Sequence, residues 1–182
     1  MGLFLGAIWL LYLNKHPQVP SYLQDRGGDF EVQSVDGTLH LSDFKGNVVL
    51  LYFGYSHCPD VCPATLNVMA ASMRELSEAD RSKVQGLFIS LDPRRDSPAK
   101  LKAYSNFFSP HIIGATATRP ILDAIAKQWH FSYHVPEHPR DHFYTVEHPN
   151  FLYLVNPDGK LAALFDEKTS PNDIADAIRA WL

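Results

Sequence analysis

The run Val48-Val49-Leu50-Leu51-Tyr52-Phe53, bounded by Gly46 and Gly54, is the feature that most narrows what this chain can fold into. Six consecutive apolar or aromatic residues offer no polar face to water, so a strand built from them must be covered on both sides. The segments that follow can supply the covering layers. Between Pro63 and Leu76 the residues Leu66, Met69, Ala70 and Met73 recur at helical spacing, and Pro63 is tolerated in a first turn where its absent N–H has no partner to lose. Leu87 to Leu91 reads as a second buried strand. Ser97-Pro98 then opens a helix to about Phe108, with a serine cap ahead of a proline at the first helical position.

On either side of this strand-helix-strand unit the pattern changes. Phe30, Val32 and Val35 precede Asp36-Gly37, and Leu39 and Leu41 follow it, which predicts a hairpin at the N-terminal edge of the domain. A helix is expected over Ile121 to Trp129 and a strand over Phe151 to Val155. The Asn156-Pro157-Asp158-Gly159 turn leads to a partner strand over Leu161 to Phe165, and an amphipathic helix from Asp173 to Trp181 closes the chain. The fold class is α/β: a central mixed sheet flanked by helices, with an N-terminal hairpin.

The chain has 182 residues, 46% of them hydrophobic, enough for one well-filled core and too few for two. Sixteen basic residues stand against 20 acidic ones without long runs, a balance that argues against a nucleic-acid partner. Residues 1–13, MGLFLGAIWLLYL, carry no charge and read as a short membrane anchor. As a helix they would cover roughly 20 Å of a hydrocarbon layer of about 30 Å, so the anchor is taken as shortened at its start. A cleaved signal peptide fits poorly, with no basic segment before the run and no small-residue cleavage site after it. Lys15 on its own weakly favours a cytoplasmic C-terminal side. Residues 14–26 hold two prolines and little periodicity and suit a tether, which puts the domain at 27–182.

Only two cysteines are present, Cys58 and Cys62, too few for a disulfide framework. They lie where the central strand gives way to a helix, the end of an open α/β sheet at which ligands bind. A helix begun by Pro59 would set their Cα atoms about 6 Å apart, close enough to bridge or to share a metal. The positive end of that helix favours thiolates, which both reactions require. Structural zinc wants four ligands and no second cysteine pair exists to complete it, whereas Cu(I) accepts two or three soft ligands, so a Cys, Cys, His set is complete for copper.

Phe53-Gly54-Tyr55-Ser56-His57-Cys58-Pro59-Asp60-Val61-Cys62-Pro63, followed by Ser90-Leu91-Asp92-Pro93-Arg94-Arg95-Asp96-Ser97-Pro98, resembles the Sco/SenC family, and the likeness runs from about Gly27 to the C-terminus. The resemblance implies a thioredoxin-like fold. It also implies a membrane-tethered domain on the periplasmic side of a bacterial inner membrane, or in the equivalent mitochondrial intermembrane space. One copper ion per chain, as Cu(I) or Cu(II), is expected on Cys58, Cys62 and His148, with a role in building the CuA centre of cytochrome c oxidase. The implied partners are the oxidase subunit carrying that centre and other copper carriers. Two departures stand beside the histidine: Glu147 replaces the usual Asp, and Pro149 follows, near where related folds place a cis-proline facing the cysteine motif.

His130, His134, His138 and His142 recur every four residues, but Pro136 and Pro139 argue against a continuous helix, so they are expected on a loop near His148. They read as solvated histidines, with a weak secondary copper site as the sharper alternative. His57 is assigned to packing or solvent, Asp60 to capping the helix, and Asp92 with Pro93-Arg94 to shaping a loop. The leading function is a metallochaperone that delivers copper rather than an enzyme. The rival is a thiol-disulfide oxidoreductase using Cys58 and Cys62 as a redox pair, although the usual redox spacing is C-x-x-C. A copper-dependent redox sensor is the third reading.

Overall fold

A computed structural model of the protein describes residues 21–136 and 144–182. The apolar stretch 1–13, the tether as far as residue 20, and His138 and His142 lie outside the described residues. The elements are β1 (Glu31–Ser34), β2 (Gly37–His40), β3 (Val48–Gly54), α1 (Val61–Arg74), the short α2 (Glu78–Arg81), β4 (Val84–Ser90), α3 (Pro98–Phe108), β5 (Ile112–Thr116), α4 (Arg119–Gln128), β6 (Leu152–Val155), β7 (Leu161–Phe165) and α5 (Pro171–Arg179). They form one seven-stranded mixed sheet in the order β2-β1-β5-β4-β3-β6-β7. The fold is thioredoxin-like, with the sheet sandwiched between helices.

Strand β3 is buried along its whole length, as its composition demands. It pairs in parallel with β4 and antiparallel with β6, setting Tyr52 opposite Phe88 on one side and Leu152 on the other. Alternation along β3 divides the core. Tyr52 packs against Phe88, and Tyr104 of α3 covers the same side. Phe53 faces the opposite layer, where Trp129, Phe131 and Tyr153 surround it edge-on or tilted. The expected hairpin is present, with Glu31 opposite His40 and Ser34 opposite Gly37.

Several boundaries move from their expected places. Strand β4 begins at Val84, three residues before Leu87, because its register with β3 starts at Val48. Helix α1 spans Val61–Arg74, α4 spans Arg119–Gln128 and α5 spans Pro171–Arg179, each starting two residues earlier than periodicity placed it. Strand β5 was not anticipated. Its IIGAT sequence is short and broken by Gly114, and pairing with β4 and β1 makes it a strand. Within the stretch read as a tether, Ser21–Leu23 forms a single 3-10 turn that buries Leu23 in the core. Among the described residues no helix is long and apolar enough to cross a membrane.

Gly114 explains how α3 lies so close to β5. A Cβ at that position would fall 2.5 Å from the Leu101 carbonyl oxygen, so the helix backbone occupies the space of a side chain. Gly114→Ala must push helix and strand apart. The expected loss is about 1–3 kcal/mol of stability in urea unfolding, and an unchanged midpoint would contradict this packing.

Candidate metal centre

The loop after β3 is held by its neighbours before it reaches the cysteines. Leu91 N–H donates to the Gly54 carbonyl at 2.8 Å, and Ser56 N–H donates to the Asp96 carboxylate at 2.8 Å. The Ser56 hydroxyl also binds Asp96, whose side chain takes further bonds from Ser90 Oγ at 2.6 Å and Lys100 Nζ at 3.1 Å. Burial alone would raise the Asp96 pKa, but the bonds from Ser56, Ser90 and Lys100 outweigh it and hold the carboxyl below its ordinary range.

Helix α1 begins at Val61, not Pro59, so Cys62 lies in its first turn and Cys58 lies ahead of it. Asp60 occupies the cap position but its side chain makes no capping bond, contrary to expectation. The Cys58 sulfur takes that place, accepting the Cys62 N–H at 3.5 Å. Pro63 becomes the third helical residue, still among the positions whose N–H has no partner within a helix.

The two thiols therefore differ, where the helix terminus was expected to favour both thiolates. Burial works against the Cys58 thiolate, but the N–H groups of Asp60 and Cys62 outweigh it and lower the pKa. Cys62 faces the core, fully buried, and burial pushes its thiol up to about 12. Gly54 makes room for it: a Cβ there would stand 2.8 Å from Cys62 Sγ. The Tyr52 hydroxyl lies 3.6 Å from the same sulfur and 3.2 Å from Asn150 Oδ1.

His148 comes to the cysteines from the far end of the sequence, just upstream of β6. Its Nε2 is 3.4 Å from Cys62 Sγ, and its Nδ1 is 3.0 Å from the Pro149 carbonyl oxygen. A carbonyl only accepts, so a proton on Nδ1 satisfies the Pro149 contact and leaves the Nε2 lone pair free to face Cys62, with the Phe53 carbonyl a second backbone acceptor beside the ring. Burial lowers the imidazole pKa, which favours the neutral, ligating form. The ring meets Tyr52 and Tyr55 edge-on, with centroids 6.1 and 5.7 Å away. The described residues contain no cis peptide bond, so the bond into Pro149 is trans. A ligand atom from each of Cys58, Cys62 and His148 lies within 4.8 Å of the others, the one such His/Cys/Asp/Glu group among the described residues.

The remaining candidates sit outside this group. His130 and His134 line an open groove that also reaches Glu147 and His148. His134 exchanges two backbone hydrogen bonds with Glu147, at 2.9 and 3.0 Å, which pins the residue before His148. His57 lies against Lys100 and 3.6 Å from Asp96. Asp92 is fully buried and accepts from Arg95 and Tyr144, which fits the loop-shaping role expected of it. Sequence reasoning missed Tyr52, Tyr55 and Asn150 because nothing local separates a tyrosine that lines a site from one that fills a core.

Unequal thiols give a direct test. Under limiting iodoacetamide Cys58 is alkylated first, at a pH below that needed for a free cysteine, while Cys62 resists until strongly alkaline pH or unfolding. Peptide mass spectrometry across a pH series reads the order; equal labelling at neutral pH would contradict the geometry.

The SCO1/SenC family model matches residues 19–182. Protein SCO2, mitochondrial, of Saccharomyces cerevisiae is 36% identical over 162 residues, covering 86% of this chain and 54% of the relative, so the chain spans about half of that protein's length. The SCO2-like protein of Rickettsia felis is 32% identical, covering 96% of this chain and 90% of the relative. Among solved structures, that of Bradyrhizobium japonicum ScoI with copper bound superposes with a TM-score of 0.77 at 33% identity, covering 86% of this chain and 99% of that one. With sequence, fold and the grouping of two cysteines and a histidine in agreement, this chain belongs to the SCO1/SenC family.

Proposed function

We propose that the protein binds one copper ion through Cys58, Cys62 and His148 and delivers it during assembly of the CuA centre of cytochrome c oxidase. The observation that carries this reading is the convergence of two sulfurs and one imidazole nitrogen within 4.8 Å. Two soft sulfurs with one nitrogen make a three-coordinate set that suits Cu(I) and falls short of the four ligands of structural zinc. The similarity to a copper-bound ScoI supports the same metal. Copper held there would bind the cysteines as thiolates, so its uptake would release their protons.

Delivery requires ligands that can be handed over one at a time. Cys58 is the less buried sulfur and, by its lowered pKa, the readier thiolate, so exchange with a partner's ligand begins there. The acceptor is the oxidase subunit that carries CuA, with other copper carriers upstream. Residues 1–13 serve as an anchor and the residues between them and Ser21 as a tether, holding the domain, whose core already includes Leu23, on the periplasmic or intermembrane-space side. A purely thiol-disulfide function would use the cysteines alone and gives no reason for a buried imidazole whose Nε2 lies 3.4 Å from Cys62 Sγ.

Loading the reduced protein with Cu(I) and measuring bound metal tests the reading. Wild type should retain about one ion per chain. His148→Ala should lose affinity by more than the roughly 10–100-fold that removing an outer-shell partner costs, and Cys58→Ser or Cys62→Ser should abolish retention. Equal retention by wild type and His148→Ala would remove His148 from the site.

A further inference from the structure

The segment that carries His148 has little regular structure of its own: residues 144–150 include only the single bridge between Glu147 and His134. Something else must keep the imidazole near the cysteines. The turn after β4 contacts both sides of the centre. Asp92 is fully buried, and its two carboxylate oxygens are divided between partners: one accepts Arg95 Nε, the other accepts the Tyr144 hydroxyl at 2.8 Å. Tyr144 is four residues before His148. Four residues further along the turn, Asp96 binds the backbone and hydroxyl of Ser56, two residues before Cys58. The Asp92 carbonyl accepts the Asp96 N–H at 3.0 Å, so the two anchor points belong to one rigid turn.

Arg95 closes the gap between the two sides. Its guanidinium lies 3.4 Å from the centroid of the Tyr144 ring and 5.6 Å from that of Tyr55. Tyr55 in turn reaches the Cys58 side chain and the Val146 backbone and packs edge-on against His148. A planar cation that stacks on rings while donating sideways to a carboxylate is a task for arginine; lysine has the charge without the plane.

We propose that Arg95, with Asp92 and Tyr144, is a positioning residue that sets the spacing between His148 and the cysteine pair. The inference rests on the reading of Cys58, Cys62 and His148 as copper ligands. None of the three belongs to the proposed ligand set; they act by fixing where the segment carrying the imidazole sits.

Arg95→Lys keeps the charge and loses the stacking, and Tyr144→Phe keeps the ring and loses only the hydroxyl to Asp92, so both variants should fold. Each is compared with wild type and His148→Ala by Cu(I) competition against a chelator of known affinity and by nitrogen hyperfine structure in the Cu(II) spectrum. The thiol-disulfide equilibrium with glutathione and the thermal midpoint are measured beside them. Both variants should bind copper about 10–100-fold more weakly with a diminished nitrogen signal, while the thiol equilibrium stays within about tenfold of wild type and the midpoint moves little. Wild-type affinity and nitrogen signal in both would overturn the proposal. So would a thiol equilibrium and midpoint that fall together with copper affinity, because the turn would then be supporting the fold alone. Full copper retention by His148→Ala would sink the ligand assignment itself, and this inference with it.

Discussion

Antiparallel pairing of β3 with β6, with Tyr52 opposite Leu152, is the constraint on which the metal centre depends. It brings the segment just before β6 across the C-terminal end of β3, where the cysteine loop begins. Asn150 then binds the hydroxyls of Tyr52 and Thr65, tying that segment to both the strand and helix α1. Two residues further back stands His148. A one-residue slip of β6 in this register would turn Leu152 and its neighbours to the other face of the sheet and carry the imidazole off the cysteines. The site is thus assembled by sheet topology from two stretches some ninety residues apart, and no local motif contains it.

Position also makes the cysteines unequal. Cys58 precedes the helix and collects N–H groups at its open end, while Cys62 has entered the first turn and is enclosed by Tyr52, Gly54 and His148. The N–H groups at the helix start lower the Cys58 pKa and make it the readier thiolate, while burial pushes the Cys62 thiol up to about 12 and favours the neutral form of the imidazole beside it. On the proposed reading of the protein as a copper carrier, this asymmetry gives an order of events: the outer sulfur meets the incoming ligand, and the inner pair completes or releases the grip.

Much of this was legible in the sequence because it follows from local chemistry. Val48 to Phe53 reads as a doubly buried strand, Asp36-Gly37 as a turn, and two cysteines four positions apart at the end of that strand point to a site. Strand β5 was hidden because IIGAT has neither length nor alternation, and Gly114 is there for the approach of α3. Asp60 looked like a helix cap by composition, but the sulfur of Cys58, two residues earlier, took the role. Of the adjacent arginines, sequence gives no reason to prefer Arg95 over Arg94; only the coordinates show which one lies between Tyr55 and Tyr144. His148 entered through family resemblance, since a single histidine before a proline carries no signal of its own.

X-ray absorption at the copper edge of the Cu(I)-loaded protein tests the coordination most directly. Two sulfur scatterers and one nitrogen scatterer in the first shell, with the nitrogen lost on His148→Ala, is the expected result. A shell of sulfur alone in the wild type, or one containing a single sulfur, would show that these three side chains do not hold the ion together.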